Sequence, residues 1–165
     1  MEEGDQLERR TLGLTEVAVR MPRMIDVSDK KTVKRKATAR GVLHLKESTV
    51  RAIASGTIKK GDVISASKLA GIQGAKATSS TLPLCHQIPL LAIEVEFKPE
   101  KDRLVCTCAV TADYRTGVEM EALVGVAVAL LNAWDMVKYL EKDKRGQYPD
   151  TRITDVRVVR KSKGM

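Results

Sequence analysis

One long apolar stretch, residues 116–138, constrains the fold of this chain more than any other feature. Its large apolar side chains leave almost no polar face, which predicts a helix that is covered on most sides. These side chains are Val118, Leu123, Val124, Val126, Val128, Leu130, Leu131, Trp134, Met136 and Val137. The same stretch also carries the charged residues Glu119, Glu121, Asp135 and Lys138. Because an ionised group on a covered helix is costly unless it is paired or in use, these residues are candidates for a functional site.

Glu121 and Asp135 cannot share one small site within a single chain. At about 1.5 Å per residue, they lie on roughly the same face of the helix but about 21 Å apart. Either the ligand is long, or a second copy of the chain brings its Glu121 to the first copy's Asp135. We favour the second explanation, because a helix that is apolar on all sides also needs a partner.

The composition is that of a globular protein with an anionic partner. A chain of 165 residues with 43% hydrophobic and 30% charged residues is expected to form one domain with a substantial core. The 29 basic and 21 acidic residues give a net charge of +8, which favours phosphates, nucleic acid or an acidic surface. Three cysteines without a disulfide spacing fit a reducing cytoplasm. The longest apolar run, 122–131, is too short for a membrane span, so we expect a soluble, cytoplasmic protein.

The order of the predicted elements indicates an α+β fold. Residues 1–22 show no clear periodicity and are expected to form a flexible extension before a single catalytic domain at 23–165. The basic run at 29–36 is interpreted as a solvated loop. Strands are then predicted at 37–45, 91–98, 103–110 and 153–159, and helices at 47–55, 62–78 and 116–138. This order is typical of a ferredoxin-like antiparallel sheet with helices packed on one face.

His86 is the more informative of the two histidines, because Pro83 and Pro89 frame its loop and a rigid backbone can present its side chain; a loop histidine bonded within the fold is the alternative. His44 lies in a predicted strand and is expected to be structural. Cys85 precedes His86, but adjacent side chains in an extended loop point apart, so no nucleophile–base pair is expected. The cysteines and histidines lack the spacing of a zinc finger, and no metal site is predicted.

Two lysines and one carboxylate–lysine pair could contact an anionic ligand. Lys60 lies in a tight basic connection before a helix, where a lysine can reach an anion as a compact charge. Lys76, in a helix rich in small residues, is a similar candidate, and simple exposure to solvent is the alternative for both lysines. Asp135 and Lys138 are three residues apart and therefore neighbours on one helical face. In an apolar stretch we expect this pair to line a cleft and to exchange protons with a ligand.

Several short motifs occur in a fixed order along the chain. They are M-I-D-V-S at 24–28, K-K-G-D-V at 59–63, A-G-I-Q-G-A-K at 70–76, L-P-L-C-H at 82–86, T-G-V-E-M-E-A-L at 116–123 and W-D-M-V-K at 134–138. Together they resemble the cyclic pyranopterin monophosphate synthase family of molybdenum cofactor biosynthesis, the MoaC family. The resemblance covers about residues 24–160, and the matching order and separation of the motifs make it specific.

The resemblance implies a phosphorus–oxygen lyase that converts 3′,8-cyclo-7,8-dihydroguanosine 5′-triphosphate to cyclic pyranopterin monophosphate and diphosphate. Lys60, Asp135 and Lys138 fall on the family's catalytic positions. The family's substrate-binding positions correspond to Leu84, Cys85, His86, Glu119, Met120, Glu121 and Lys76. The resemblance also implies a homohexamer, a trimer of dimers, with the site at the dimer interface.

The first basic segment departs from the family pattern. Where the family often has arginine, this chain has Lys34, followed by Arg35, so either residue could contact a phosphate. The resemblance requires no cofactor, although Mg²⁺ could accompany the triphosphate. Neither a membrane nor nucleic acid is expected as a partner.

The main alternative is an RNA-binding module of ferredoxin-like fold, because such sheets and basic runs suit RNA. These sheets stack bases on exposed aromatic side chains, and the predicted strands carry essentially only Phe97. A non-catalytic assembly protein is a second alternative. It would tolerate Lys60→Ala and Asp135→Ala without loss of any turnover.

Overall fold

The computed structural model of the protein describes residues 21–164 and, before them, the backbone of two short strands. These strands, β1 (Glu8–Leu12) and β2 (Thr15–Val19), pair as an antiparallel hairpin. This hairpin was not predicted, because the segment shows no clear alternation of apolar and polar residues. Residues 1–7, 13–14 and 20 of the predicted extension lie outside the described residues, and its flexibility stays a prediction.

Four antiparallel strands form the main sheet, in the order β4-β5-β3-β6. They are β3 (Val33–His44), β4 (Leu90–Glu100), β5 (Arg103–Tyr114) and β6 (Arg152–Lys163). The helices are α1 (Glu47–Ala54), α2 (Val63–Lys76), the short α3 (Thr78–Thr81) and α4 (Glu119–Glu141). The helices lie on one side of this sheet, which confirms the predicted ferredoxin-like α+β fold.

Strand β3 begins earlier than the sequence analysis predicted. The end of the basic run, which we interpreted as a solvated loop, pairs with the end of β5, with Val33 opposite Tyr114 and Lys36 opposite Thr111. The interpretation was wrong for these residues because a strand needs apolar side chains only on its core face, and fully buried positions in β3 start at Ala37. The longer strand places Arg35 beside the segment that leads into α4.

Small residues bring α4 close to both the sheet and α2. A Cβ added to Gly125 of α4 would lie 2.6 Å from the Cys108 Sγ atom of β5. On α2, a Cβ added to Gly74 would lie 2.7 Å from the Cβ of Val128. Larger side chains at these glycines would therefore force the layers apart, which explains why the core helix and α2 are rich in glycine and alanine.

The chain covers only part of α4. Met120 is 41% exposed and Leu131 is 56% exposed, and Leu69 on the neighbouring α2 is 69% exposed. We call these three side chains the apolar strip. By length and composition α4 could span a membrane, but half of its most apolar stretch is buried inside the fold, as expected for a core helix. The prediction of a helix covered on most sides therefore holds only in part for a single chain.

Candidate functional site

An ionic cluster joins the start of α2 to the C-terminal half of α4. The Nζ atom of Lys60 lies 2.6 Å from Oδ2 of Asp135, and the Nζ atom of Lys138 lies 2.6 Å from Oδ1 of the same carboxylate. Lys60 Nζ also donates a hydrogen bond to the backbone oxygen of Asp135 at 3.1 Å. All three side chains are about half exposed. The structure thus brings together the three predicted catalytic candidates from two distant segments.

A tight turn presents Lys60 to this cluster. The backbone N–H of Gly61 donates to the carbonyl oxygen of Ile58 at 3.0 Å, and Gly61 has a φ of 97°, a conformation that favours glycine. Ile58 is buried and anchors the turn in the core. Immediately afterwards, the carboxylate of Asp62 accepts a hydrogen bond from the N–H of Ser65 and caps α2. These local contacts fix the backbone on both sides of Lys60.

The two lysines hold Asp135 in its ionised form. The hydrogen bond from Lys138, followed by that from Lys60, lowers the pKa of Asp135 to about 2. The same contact with Asp135 raises the pKa of Lys138. At neutral pH the cluster therefore contains one carboxylate and two ammonium groups. Its surplus of positive charge at the surface suits a phosphate-bearing ligand.

A second group of predicted residues lines a cavity of about 360 Å³ near the N-terminal end of α4, which we call the Glu121 cavity. Its lining includes Leu84, Cys85, His86, Met120 and Glu121. The Nε2–H of His86 donates a hydrogen bond to the carbonyl oxygen of Ile25 at 2.8 Å, which ties the histidine loop to the segment before β3. In this tautomer the Nδ1 atom is left as an acceptor for a ligand.

Glu121 is a buried carboxylate on the wall of this cavity. It is 4% exposed, and its Oε2 atom accepts no hydrogen bond from the residues that the structure describes. Burial is the main cause that raises the pKa of Glu121, and the nearby charge of Glu119 raises it further. A buried polar group that lacks a partner is destabilising, so its presence on the wall of a cavity indicates a binding role.

Glu119 lies outside this cavity and lines a neighbouring one of about 340 Å³ together with Arg35 and Lys161. The Nζ atom of Lys161 donates to Oε1 of Glu119 at 3.1 Å. Arg35 is fixed beside it, because its guanidinium donates to the backbone oxygens of Tyr114 at 3.4 Å and Arg115 at 3.1 Å. We call this second cavity the Arg35 cavity.

The remaining two predicted substrate contacts line neither cavity. Lys34 precedes Arg35 in β3, so its side chain points to the opposite side of the sheet, where it is exposed. Lys76 is exposed in the last turn of α2. Of the two residues that could contact a phosphate, Arg35 therefore lines one of these cavities and Lys34 lines neither.

Five basic residues at these cavities were not predicted as site residues. Arg23 and Lys30 line the Glu121 cavity, and Lys36, Lys161 and Lys163 line the Arg35 cavity. Lys30 belongs to the run that we interpreted as a solvated loop. Lys161 reaches its place because β6 pairs with β3, with Lys161 opposite Ala37. No local sequence signal gives that strand order.

The cysteines offer no activated thiol. Cys106 and Cys108 share the core face of β5, and burial raises the pKa of each thiol to about 12. Burial also raises the pKa of Cys85. Within the described part of the chain, no group of three or more His, Cys, Asp or Glu side chains could hold a metal ion. His44 bonds through Nε2 to the hydroxyl of Thr154 at 2.9 Å, as a structural strand residue would.

Comparison with known proteins identifies the family. The sequence pattern described as the MoaC family matches residues 24–164, a range that contains the ionic cluster and Glu121. The chain belongs to the MoaC family. A Thermococcus kodakarensis protein described as "Probable cyclic pyranopterin monophosphate synthase" is 52% identical to it over 92% of this chain and 97% of its own length. A Sulfolobus acidocaldarius protein with the same description is 53% identical over 85% of this chain and 98% of its own.

A further MoaC relative has a different description. The Methanothermobacter thermautotrophicus protein, "Probable cyclic pyranopterin monophosphate synthase accessory protein", is 48% identical over 86% of this chain and 89% of its own length. None of these relatives is described as an RNA-binding protein. Phe97, the aromatic residue of the predicted strands, packs against the core. The alternative of an RNA-binding module is therefore not supported.

Proposed function

We propose that this MoaC protein is a cyclic pyranopterin monophosphate synthase, a phosphorus–oxygen lyase that acts on 3′,8-cyclo-7,8-dihydroguanosine 5′-triphosphate and releases diphosphate. The observation that carries the proposal is the ionic cluster of Lys60, Asp135 and Lys138, which gathers two ammonium groups on a half-exposed surface. The descriptions of the relatives support the same activity. Soluble, cytoplasmic localisation and a role in molybdenum cofactor biosynthesis belong to this proposal.

The reaction requires the negative charge that develops on the triphosphate to be stabilised. To close a cyclic phosphate, a substrate hydroxyl must lose its proton and attack the α-phosphorus while the bond to diphosphate breaks. Negative charge accumulates on the departing diphosphate, and the ammonium groups of Lys60 and Lys138 are placed to stabilise it. Mg²⁺ bound to the phosphates would supply additional positive charge.

Asp135 is the candidate for proton transfer, and the substrate would control its basicity. With both lysines bound, its pKa of about 2 makes it a weak base at neutral pH. A triphosphate competes for the same ammonium groups. When the lysines turn toward phosphate oxygens, Asp135 loses the hydrogen bonds that lower its pKa. The carboxylate then becomes more basic only when substrate is present.

The Glu121 cavity suits the guanine-derived part of the substrate. The Oε2 atom of Glu121, which has no donor among the described residues, can accept hydrogen bonds from ring N–H and amino groups, and these would compensate the cost of its burial. With its Nε2–H bonded to Ile25, His86 can accept a hydrogen bond from a sugar hydroxyl at Nδ1. The lysines and arginines at the rims of both cavities provide positive charge for phosphates.

Because Glu121 and Asp135 are about 21 Å apart along one helix, we infer that each complete site contains residues from two chains. The apolar strip supports this inference. It extends from Met120 at the Glu121 cavity to Leu131, one helical turn before Asp135, and leaves large apolar side chains exposed in a single chain. If two copies pack antiparallel along this strip, the ionic cluster of one copy meets the Glu121 cavity of the other. Three such dimers would form the hexamer that we expect.

The activity is tested with the purified protein and the cyclised nucleotide, by measuring diphosphate and the pyranopterin product. Asp135→Asn and Lys60→Ala should each lower kcat by at least about 100-fold while the oligomer stays intact. Lys101→Ala, at an exposed lysine remote from both cavities, is the matched control and should keep full activity. Full activity in Asp135→Asn or Lys60→Ala would contradict the catalytic assignment, and no product from the unmodified protein would contradict the function.

Mixing two inactive variants tests whether the site is shared. In a dimer of one Asp135→Asn chain and one Glu121→Gln chain, one composite site carries both substitutions and the other carries neither. Random assortment of equal amounts should therefore restore about a quarter of wild-type activity. If each site belonged to one chain, every site would carry a substitution, and the mixture would stay as inactive as its components.

A further inference from the structure

Tyr139 holds the backbone next to Lys60. Its hydroxyl oxygen accepts a hydrogen bond from the backbone N–H of Lys59 at 3.1 Å. Its ring lies under the ammonium group of Lys59, with the Nζ atom 5.7 Å from the ring centroid. Tyr139 is thus in contact with both the backbone and the side chain of the residue before Lys60.

The bonded amide belongs to the turn that presents Lys60. The N–H of Gly61 donates to the carbonyl oxygen of Ile58, so Lys59 and Lys60 are the two central residues of this turn. Ile58 anchors the turn only from the core side. On the solvent side, the Tyr139 hydroxyl bonds the turn directly.

Helix α4 therefore contacts the turn through two of its side chains. Asp135 and Tyr139 are four residues apart and lie on the same face of α4, one helical turn from each other. The Asp135 carboxylate holds the Lys60 ammonium group, while the Tyr139 hydroxyl holds the preceding amide. A long lysine side chain has many rotamers, and fixing its backbone reduces the number that can reach the cluster.

We propose that Tyr139 is a positioning residue, which fixes the turn at Lys59 so that the ammonium group of Lys60 stays in the ionic cluster. Tyr139 need not touch the substrate for this role. The inference rests on the proposed function for its effect on turnover, but the geometric part concerns only Lys60 and Asp135. A displacement of about 1 Å at a reacting group can lower a rate by up to about 100-fold, so a turn that is only loosened should have a smaller effect.

Tyr139→Phe tests the proposal, because it removes the hydroxyl and keeps the ring under Lys59. We expect kcat to fall about tenfold with KM changed less than about threefold, since the lysine still binds phosphate but is less often in place. The matched control is Ser55→Ala. It removes an exposed hydroxyl of the same α1–α2 segment, which among the described residues bonds to Ala52 and Thr57, and kcat should be unchanged.

A second readout does not depend on turnover. The carboxyl carbon of Asp135 is followed by NMR during a pH titration of the unliganded protein. Lys138 and Lys60 are the charged groups that donate hydrogen bonds to Asp135. The charge of Tyr148 contributes to the raised pKa of Lys138. If Lys60 spends less time in the cluster, the pKa of Asp135 should be higher in Tyr139→Phe than in the wild type and Ser55→Ala.

Unchanged kcat together with an unchanged Asp135 pKa in Tyr139→Phe would overturn the positioning role. A lower kcat together with lower thermal stability and an unchanged Asp135 pKa would also overturn the positioning role. That result would show that Tyr139 only stabilises the fold. If the wild type makes no product but the Asp135 pKa rises as expected, the proposed function fails and the positioning role stands.

Discussion

Replacing Glu141 by glutamine should destabilise the protein strongly, although the two side chains have nearly the same shape. Glu141 is 1% exposed at the end of α4. Its Oε1 atom accepts the hydroxyl of Thr49 and its Oε2 atom accepts the hydroxyl of Thr151, each at 2.5 Å. Both oxygens also accept the backbone N–H of Lys46 at 3.2 Å. One carboxylate thereby joins α4, the start of α1 and the start of β6.

The size of the effect follows from these contacts. A hydrogen bond to a charged group contributes about 1.5–3 kcal/mol, against about 0.5–1.5 kcal/mol for a neutral one. Glu141→Gln makes every remaining bond neutral, and its amide nitrogen cannot accept from a backbone N–H. We therefore expect the free energy of unfolding to fall by about 2–4 kcal/mol. For a chain of this size, Tm should fall by about 4–16 °C.

The assay is chemical and thermal unfolding at one fixed protomer concentration, because oligomerisation makes Tm depend on concentration. Glu47→Gln is the matched control. Glu47 is an exposed glutamate on α1 that pairs with Arg51 four residues later, and such surface pairs contribute at most about 1 kcal/mol. If Glu141→Gln is no less stable than Glu47→Gln, the carboxylate does not act as the structural link described here.

Further predictions concern the buried carboxylate, the packing of α4 and the apolar strip. Burial raises the pKa of Glu121 in the folded state, so its contribution to stability is present below the unfolded pKa and is lost as pH rises through the folded pKa. In urea unfolding, Glu121→Gln should match the wild type near about pH 4 and exceed its stability near about pH 8, and an equal difference at both pH values would contradict the shift. Gly125→Ala places a Cβ against the Cys108 Sγ atom and should lower the free energy of unfolding by about 1–3 kcal/mol, measured by denaturant titration. Leu131→Glu should shift the protein toward monomers in sedimentation velocity with an unchanged far-UV CD spectrum, and an intact oligomer would show that the strip is not an interface.

Local signals in the sequence were sufficient for most of the fold. The Asp62 cap and the positive φ of Gly61 both depend on neighbours in the chain, so the start of α2 could be predicted within one residue. The hairpin of β4 and β5 was also predicted, because it needs only alternation and a short turn between Glu100 and Arg103. In both cases the residues that decide the structure are close in sequence.

Pairing between distant strands could not be predicted in the same way. Arg35 and Lys161 share a cavity only because β6 lies beside β3, and the order of strands in a sheet is a property of the whole fold. The start of β3 could not be predicted from the sequence for a related reason. Its first residues are basic, and they form a strand because β5 and β6 offer hydrogen-bonding partners on both sides.

Glu121 and Glu141 show why a site cannot be assigned from residue type and burial alone. Both are glutamates of α4 and both are buried. The structure separates them by their hydrogen-bond donors: Glu141 accepts from three residues of its own chain, whereas Oε2 of Glu121 accepts from none that the structure describes. Three donors offset the desolvation of the first carboxylate within the fold. Oε2 of the second carboxylate has no such donor among the described residues, and for that reason we propose substrate recognition at Glu121 and structural support at Glu141.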